Sequence, residues 1–288
     1  MPAPTSPTVR RRRLAAELRR IRDQLDFTLE DVAERLRWSA SKLSRIETAK
    51  SGAKIIDVRR LLQLYQVHGP QAEELMTLAR EAERKGWWEA YSDSLKEEVS
   101  ALIGLEAEAV RAAQWQPVVV PGLLQTEAYA EQTLLGHQPA LGRPPGQIKA
   151  YVTARLHRQE VLTRERPLSL SAVLDESVLR RKYGGAEVMH EQLIKLIEFS
   201  RMPNIDIFVR PMKSPHPAPT APPFTYLDFG ASFHAVVFVE LLSGGVYIEN
   251  DLDTFHYSSV FEMARTQSLD AEESRKLISR VAEEEWFP

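Results

Sequence analysis

The stretch TLEDVAERLRWSASKLSRIE, residues 28–47, decides how the first part of this 288-residue chain folds. Leu29, Val32, Ala33 and Leu36 recur at i, i+3, i+4 and i+7, so one face of a first short helix is apolar. Thr28 stands ahead of it as an N-cap, with Asp31 in the first turn. Ser39 is a second N-cap candidate. It opens a helix that turns Leu43 and Ile46 inward and leaves Ala40, Ser41, Lys42, Ser44 and Arg45 facing out. Two helices this short bury too little apolar area to stand alone, so neighbours must pack on them from both sides.

Those neighbours can be read. A helix at about 12–24 carries Leu14, Leu18, Ile21 and Leu25 on one face. After the central pair, Ile55, Val58, Leu61, Leu62 and Tyr65 mark a fourth helix, and Leu75, Leu78, Ala79 and Ala82 a fifth, over about 71–85. His68-Gly69-Pro70 is the break between them, with Gly as a cap and Pro at a helix start. In this five-helix setting LRRIRDQLDFTLEDVAERLRWSASKLSRIE resembles the helix-turn-helix of the Xre/lambda-repressor-like family. The small Ala33, the serine-rich start of the second helix and the SRIE ending carry the likeness. Two positions depart from it. Leu29 stands where the family usually has a glutamine that touches the operator backbone, and Asp26 where glycine is common. The groove-facing helix is therefore expected to carry more of the binding. The resemblance implies double-stranded DNA as partner and, because such heads usually read paired half-sites, a homodimer.

Composition agrees with a nucleic-acid-binding head on an ordinary body. Residues 1–60 hold 12 Arg and 3 Lys against 8 acidic residues, a net of +7, while the remainder carries −10. Hydrophobic content of 43% supports a packed core. The absence of cysteine excludes disulfides, zinc fingers and thiol chemistry and suits a reducing cytoplasm. No apolar run reaches the roughly 20 residues that span a bilayer, and MPAPTSPTVRRRR has no apolar segment after its charges, so it does not read as a signal peptide. Residues 1–11 are expected to form a disordered basic arm, residues 12–85 the helix-turn-helix domain and residues 86–288 a regulatory or partner-binding domain. Arg10, Arg11, Arg12 and Arg13 suit phosphate tracking or a minor groove, and equally a solubilising tail.

The body reads as mixed α/β, which makes the whole chain α+β: a five-helix head, then a small β-sheet flanked by helices. Trp87 and Trp88 suit either a hinge packed between domains or a stacking surface. Residues 89–95 look helical. Residues 101–120 read as one or two strands ending in PVVVP, and 136–146 as a loop. Helices follow at 126–134, 147–164, 176–182 and 186–201. Strands are expected at 168–174, 205–209, 224–229, 235–241 and 246–249, with Ser243-Gly244-Gly245 as the hairpin turn between the last two. KSPHPAPTAPP, residues 213–223, can join neither a ladder nor a helix and reads as an extended loop. The tail from 253 is helical. PGLLQT (121–126) and LDESVLRR (174–181), together with ARLHRQEVL and PNIDIFVRP, are similar to the C-terminal domain of the actinobacterial WhiJ-like regulators. That resemblance implies a small partner protein bound by the body.

Base-edge and phosphate contacts are expected from Ser41, Lys42, Ser44 and Arg45, because Lys and Arg donate to guanine O6/N7 and Ser hydroxyls donate to phosphates. Thr28, Ser39 and Lys50 complete the set expected against DNA. Glu47 is expected to pair with Arg35 or to cap locally. His216, His234 and His256, with Glu240, Glu249, Asp251 and Asp253, do not fall at metal-ligand spacing. Glu240 ends an apolar strand, where Arg180 or Arg210 could pair with it. GxSxG, P-loop and GxGxxG motifs are all missing, so neither an enzyme nor a cofactor is expected. The function expected is a sequence-specific transcriptional regulator with an effector- or partner-binding body. The alternative is an antitoxin-like component that neutralises a small protein and autoregulates its operon; toxicity of that small protein alone would separate the two.

Overall fold

The computed structural model describes residues 7–82, 86–91, 94–136, 142, 144–230, 234–241 and 244–287. The chain divides into two compact units, residues 1–89 and 90–288. The fold is α+β, with twelve α-helices and one six-stranded sheet among the described residues.

The first unit holds α1 (Pro7–Gln24), α2 (Leu29–Leu36), α3 (Ala40–Glu47), α4 (Ile55–Leu64) and α5 (Gly69–Ala82). Their apolar faces meet in one core around Leu18, Val32, Leu43, Val58, Leu61 and Ala79. This supplies the neighbours that α2 and α3 need. The turns between helices are closed by residues with positive φ: Asp26 at 54°, Arg37 at 56°, Ala49 at 55° and Gln66 at 55°. Asp26 thus takes the left-handed conformation that glycine adopts at no steric cost. Helix α1 starts at Pro7, so Arg10, Arg11, Arg12 and Arg13 are helical rather than part of a disordered arm. The end of the fifth expected helix, residues 83–85, lies outside the described residues.

Trp87–Tyr91 is a single 3-10 turn, in which Trp88 is buried and meets Trp87 edge to face at 5.9 Å. Of the helix expected at 89–95, residues 92–93 lie outside the described residues. Residues 97–108 form α6 (Glu97–Glu108) and Arg111–Gln116 form a strand, β1, so one strand is present and the first part of the expected strand region, 101–108, is helical. Its Ala-, Leu- and Glu-rich sequence favours helix intrinsically. Pro117 to Val120 are β-rich in composition but pair with no strand. Of the loop expected at 136–146, residues 137–141 and 143 lie outside the described residues.

The chain continues through α7 (Glu127–Gly136), α8 (Pro145–Arg158), β2 (Ser169–Asp175), α9 (Ser177–Arg180), α10 (Ala186–Phe199) and β3 (Ile205–Arg210). An extended proline-rich segment then leads to β4 (Phe224–Asp228), β5 (Val236–Leu241) and β6 (Gly244–Ile248). The order across the sheet is β3-β2-β1-β4-β5-β6. β1, β2 and β3 are parallel, joined by helical crossovers, and β4 to β6 add antiparallel. Gly244 and Gly245, expected in the hairpin turn, belong to β6, and Ser243 lies outside the described residues. An added Cβ on Gly245 would stand 2.1 Å from the Phe238 ring, which is why glycine occupies that position.

Two last helices complete the unit, α11 (Asp251–Thr266) and α12 (Ala271–Glu285). Phe261 and Ala264 of α11 pack on Trp115, Val173, Phe224 and Val239 of the sheet. α12 covers the β3 edge: the Val209 amide donates to Ser274 Oγ (2.8 Å), and the Leu269 amide to the Val209 carbonyl (2.9 Å). A strand edge is thereby closed to other chains. On the opposite sheet face, Arg158 of α8 donates through Nε (2.8 Å) and Nη2 (2.7 Å) to both oxygens of Glu106 in α6. Both residues are buried. Burial works against the Arg158 charge, but the Glu106 carboxylate outweighs it, and the guanidinium pKa is raised.

Because both partners are buried, Arg158→Met should cost about 3–5 kcal/mol by leaving Glu106 charged and alone. Adding Glu106→Leu should recover most of that loss. Urea unfolding followed by circular dichroism measures both.

Candidate nucleic-acid interface

The turn between α2 and α3 is built from caps. The Thr28 hydroxyl accepts from the Asp31 amide (3.1 Å), and the Asp31 carboxylate accepts from the Thr28 amide (2.8 Å), a reciprocal capping box. Hydrogen bonds from the Thr28 hydroxyl and amide hold the Asp31 carboxyl below its ordinary range. Arg37 closes α2 in the left-handed conformation, and the Trp38 amide returns to the Ala33 carbonyl (2.8 Å). Ser39 Oγ then accepts from the Lys42 amide (3.1 Å) and starts α3. Leu43 and Ile46 face the core.

What fixes the end of α3 is Glu47, and its partner is Arg22 of α1 rather than Arg35. Arg22 Nε lies 2.8 Å from Glu47 Oε1 and 3.1 Å from Oε2, while Nη2 lies 2.9 Å from Oε2. Arg22 Nη1 also donates to the Phe27 carbonyl at 2.7 Å, so one guanidinium ties together α1, the loop before α2 and the end of α3. Arg22 is 8% exposed and Glu47 6%, which makes the pair interior. The hydrogen bond to Glu47 raises the Arg22 pKa against the opposing effect of burial. Arg35 instead stacks on the Phe27 ring, 4.4 Å from its centre.

With α3 held this way, Ser41, Arg45 and Thr48 form an exposed edge at i, i+4 and i+7, with Ser39 and Lys50 exposed at its two ends. Ser44 is half-buried beside them. Lys42 is placed differently from the sequence expectation. Its Nζ lies 2.9 Å from the buried Asp57 Oδ2 of α4 and 3.8 Å from the centre of the Trp38 ring. It braces α3 against α4 more than it extends outward. Thr28 likewise spends its hydroxyl on the cap, donating to Asp31 Oδ2 at 2.7 Å. The four N-terminal arginines occupy successive helix positions, about 100° apart, and cannot form one strip. Arg13 reaches Glu74 of α5 at 3.1 Å, and Arg11 lies along Gly52. Two exposed residues of this surface escaped the sequence reading, Arg37 and Thr48. Thr48 follows Arg45 at helical spacing, a signal present in the sequence. Arg37 owes its place to the left-handed cap, which residue type does not announce.

The architecture defines a two-part protein, a helix-turn-helix head followed by a mixed-sheet body. Comparison with family models agrees: residues 13–75 match the helix-turn-helix domain family (HTH_31), whose presence points to a DNA-binding regulator. The chain belongs to the family described as "Domain of unknown function (DUF5753)", whose model matches residues 99–280, more than half of its length. Comparison with curated proteins and with solved structures found no match. No helix among the described residues is long and apolar enough to cross a membrane, and those residues hold no group of three or more His, Cys, Asp or Glu that could hold a metal ion. Glu240 is exposed, and the side chains expected to pair with it are engaged elsewhere, Arg180 with Glu176 and Glu285, Arg210 with Asp175.

Glu47→Ala should destabilise the head by about 3–5 kcal/mol, because it strands the Arg22 guanidinium in the interior. Glu74→Ala, which breaks the exposed pair with Arg13, should cost less than about 1 kcal/mol. Comparing the two urea transitions checks the contrast.

Proposed function

We propose that this chain is a sequence-specific transcriptional regulator of the WhiJ-like type, whose head reads the major groove with α3. The observation that carries the reading is the exposed edge Ser41, Arg45 and Thr48 on a short helix that is capped at Ser39 and anchored at Glu47. An arginine on such an edge suits bidentate donation to guanine, and the Ser41 hydroxyl suits phosphate, while Thr48 gives its hydroxyl to the Ser44 carbonyl at 2.7 Å and closes the end of the edge. Exposed Lys50 and Arg37 extend the cationic surface along the backbone. Two copies acting on paired half-sites give a homodimer on DNA. The body acts as the sensor, binding a small partner protein or effector that sets the availability of the head.

A random duplex pool enriched on the full-length chain should yield a two-half-site sequence, bound by two chains in sedimentation. Against that duplex Arg45→Ala should lose about 1–3 kcal/mol of affinity with an unchanged urea midpoint. Lys42→Ala should lower affinity and stability together, since it also releases Asp57. Lys50→Ala should reduce the slope of log affinity against log salt by about 0.9 while leaving sequence preference intact. Unchanged affinity in Arg45→Ala would remove α3 as the reading helix.

A further inference from the structure

The second unit contains a cavity of about 320 Å³ between β1, β4 and β5 of the sheet and α6 and α8. Alternation along β1 places Gln114 and Gln116 on this side and Trp115 on the other, under α11. Leu102, Val118, Leu134 and Phe238 give the cavity an apolar wall. Its size and mixture of apolar lining with a few fixed polar groups are those of a small-molecule site.

The polar groups are held by a network that uses the PGLLQT segment. Arg155 Nη1 donates to Gln125 Oε1 (2.7 Å) and Thr133 Oγ1 (3.3 Å). Gln125 Nε2 donates to the Val120 carbonyl (2.7 Å), and Gln159 Nε2 to the Gln125 carbonyl (2.6 Å). Behind this segment Gln192 of α10 accepts from the Thr126 amide and donates to the Leu124 carbonyl, both at 2.8 Å. Charges in the wall are of both signs. Arg158 is matched by Glu106 through two bonds, Arg155 is held by Gln125 and Thr133, and Lys96 and Glu240, of opposite sign, line the same cavity. Gln114 is different. It is 3% exposed, its Nε2 donates to Thr225 Oγ1 (3.1 Å), and its Oε1 receives no donor among the described residues. A buried acceptor without a partner carries an uncompensated desolvation cost, and an N–H or O–H arriving in the cavity relieves it.

We infer that this cavity is the effector site of the body, and that its ligand is a small, uncharged, mainly apolar molecule bearing one N–H or O–H donor directed at Gln114. The donor satisfies the open acceptor, the apolar part lies against Leu102, Leu134 and Phe238, and the mixed charges of the wall give a net ionic ligand no advantage. The word effector rests on the regulator reading above; the binding chemistry does not.

N-phenyl-1-naphthylamine, uncharged and with a single N–H, is the probe. Full-length protein should enhance its fluorescence saturably at one probe per chain. 1-Benzylnaphthalene, with a methylene in place of the N–H, should displace it poorly, and 8-anilinonaphthalene-1-sulfonate should compete no better. Val99→Trp, which fills the half-buried rim, should abolish the enhancement while retaining the wild-type circular dichroism. Gln114→Leu should erase the preference for the N–H compound over its methylene analogue, and serves alone if Val99→Trp misfolds. Absence of saturable binding, unchanged binding in folded Val99→Trp, an unchanged preference in Gln114→Leu, or tighter binding of the sulfonate would each overturn the assignment. Binding with no effect on DNA affinity would leave the site standing and count against its regulatory role.

Discussion

The head depends on one buried ion pair. Arg22 and Glu47 meet through three hydrogen bonds in the interior of a five-helix unit, and the same guanidinium holds the Phe27 carbonyl. Such a pair adds little net stability, because desolvating two charges consumes most of their attraction. What it supplies is geometry. Helix α3 has only eight residues, too few to keep a fixed direction by its own backbone bonds. Ser39 fixes its beginning, Glu47 its end, and Leu43 and Ile46 its inner face, so the edge left over has a single orientation. Lys42, gripped by Asp57 and stacked on Trp38, adds a third anchor from the side.

The body repeats the device. Arg158 and Glu106 join α8 to α6 as Arg22 and Glu47 join α1 to α3, again with both partners buried. Here the pair sits in the wall of a cavity instead of beneath a surface helix. The pair is neutral overall and ties α8 to α6 beside the cavity that Arg158 lines. The PGLLQT segment, stitched to α8 and α10 through side-chain amides, holds the neighbouring part of that wall.

The head was legible because its signals are local: caps one turn apart, an apolar period of 3.6 and Gly-Pro punctuation. The Arg22–Glu47 pair was not, since its partners are 25 positions apart and Arg35 offered a nearer choice. The same limit explains Lys42, whose outward direction followed from helical spacing but whose engagement depends on α4. In the body the β-branched strands between prolines were readable, whereas PVVVP imitates a strand in composition and pairs with none. Residues 101–108 misled in the opposite sense: they fall in the strand region expected at 101–120, yet helix propensity prevails. The sheet order and the cavity come from long-range pairing of β1 with β2 and β4, which no local pattern encodes.

The central claim is that the α3 edge meets DNA, and arginine-selective modification of the full-length chain tests it most directly. Phenylglyoxal labelling, mapped by mass spectrometry with and without the enriched duplex, reads each guanidinium separately. The account predicts that the duplex shields Arg45 and Arg37, while exposed body arginines such as Arg166 and Arg201 label equally in both states. Equal labelling of Arg45 with and without bound duplex, or shielding confined to the body, would contradict it.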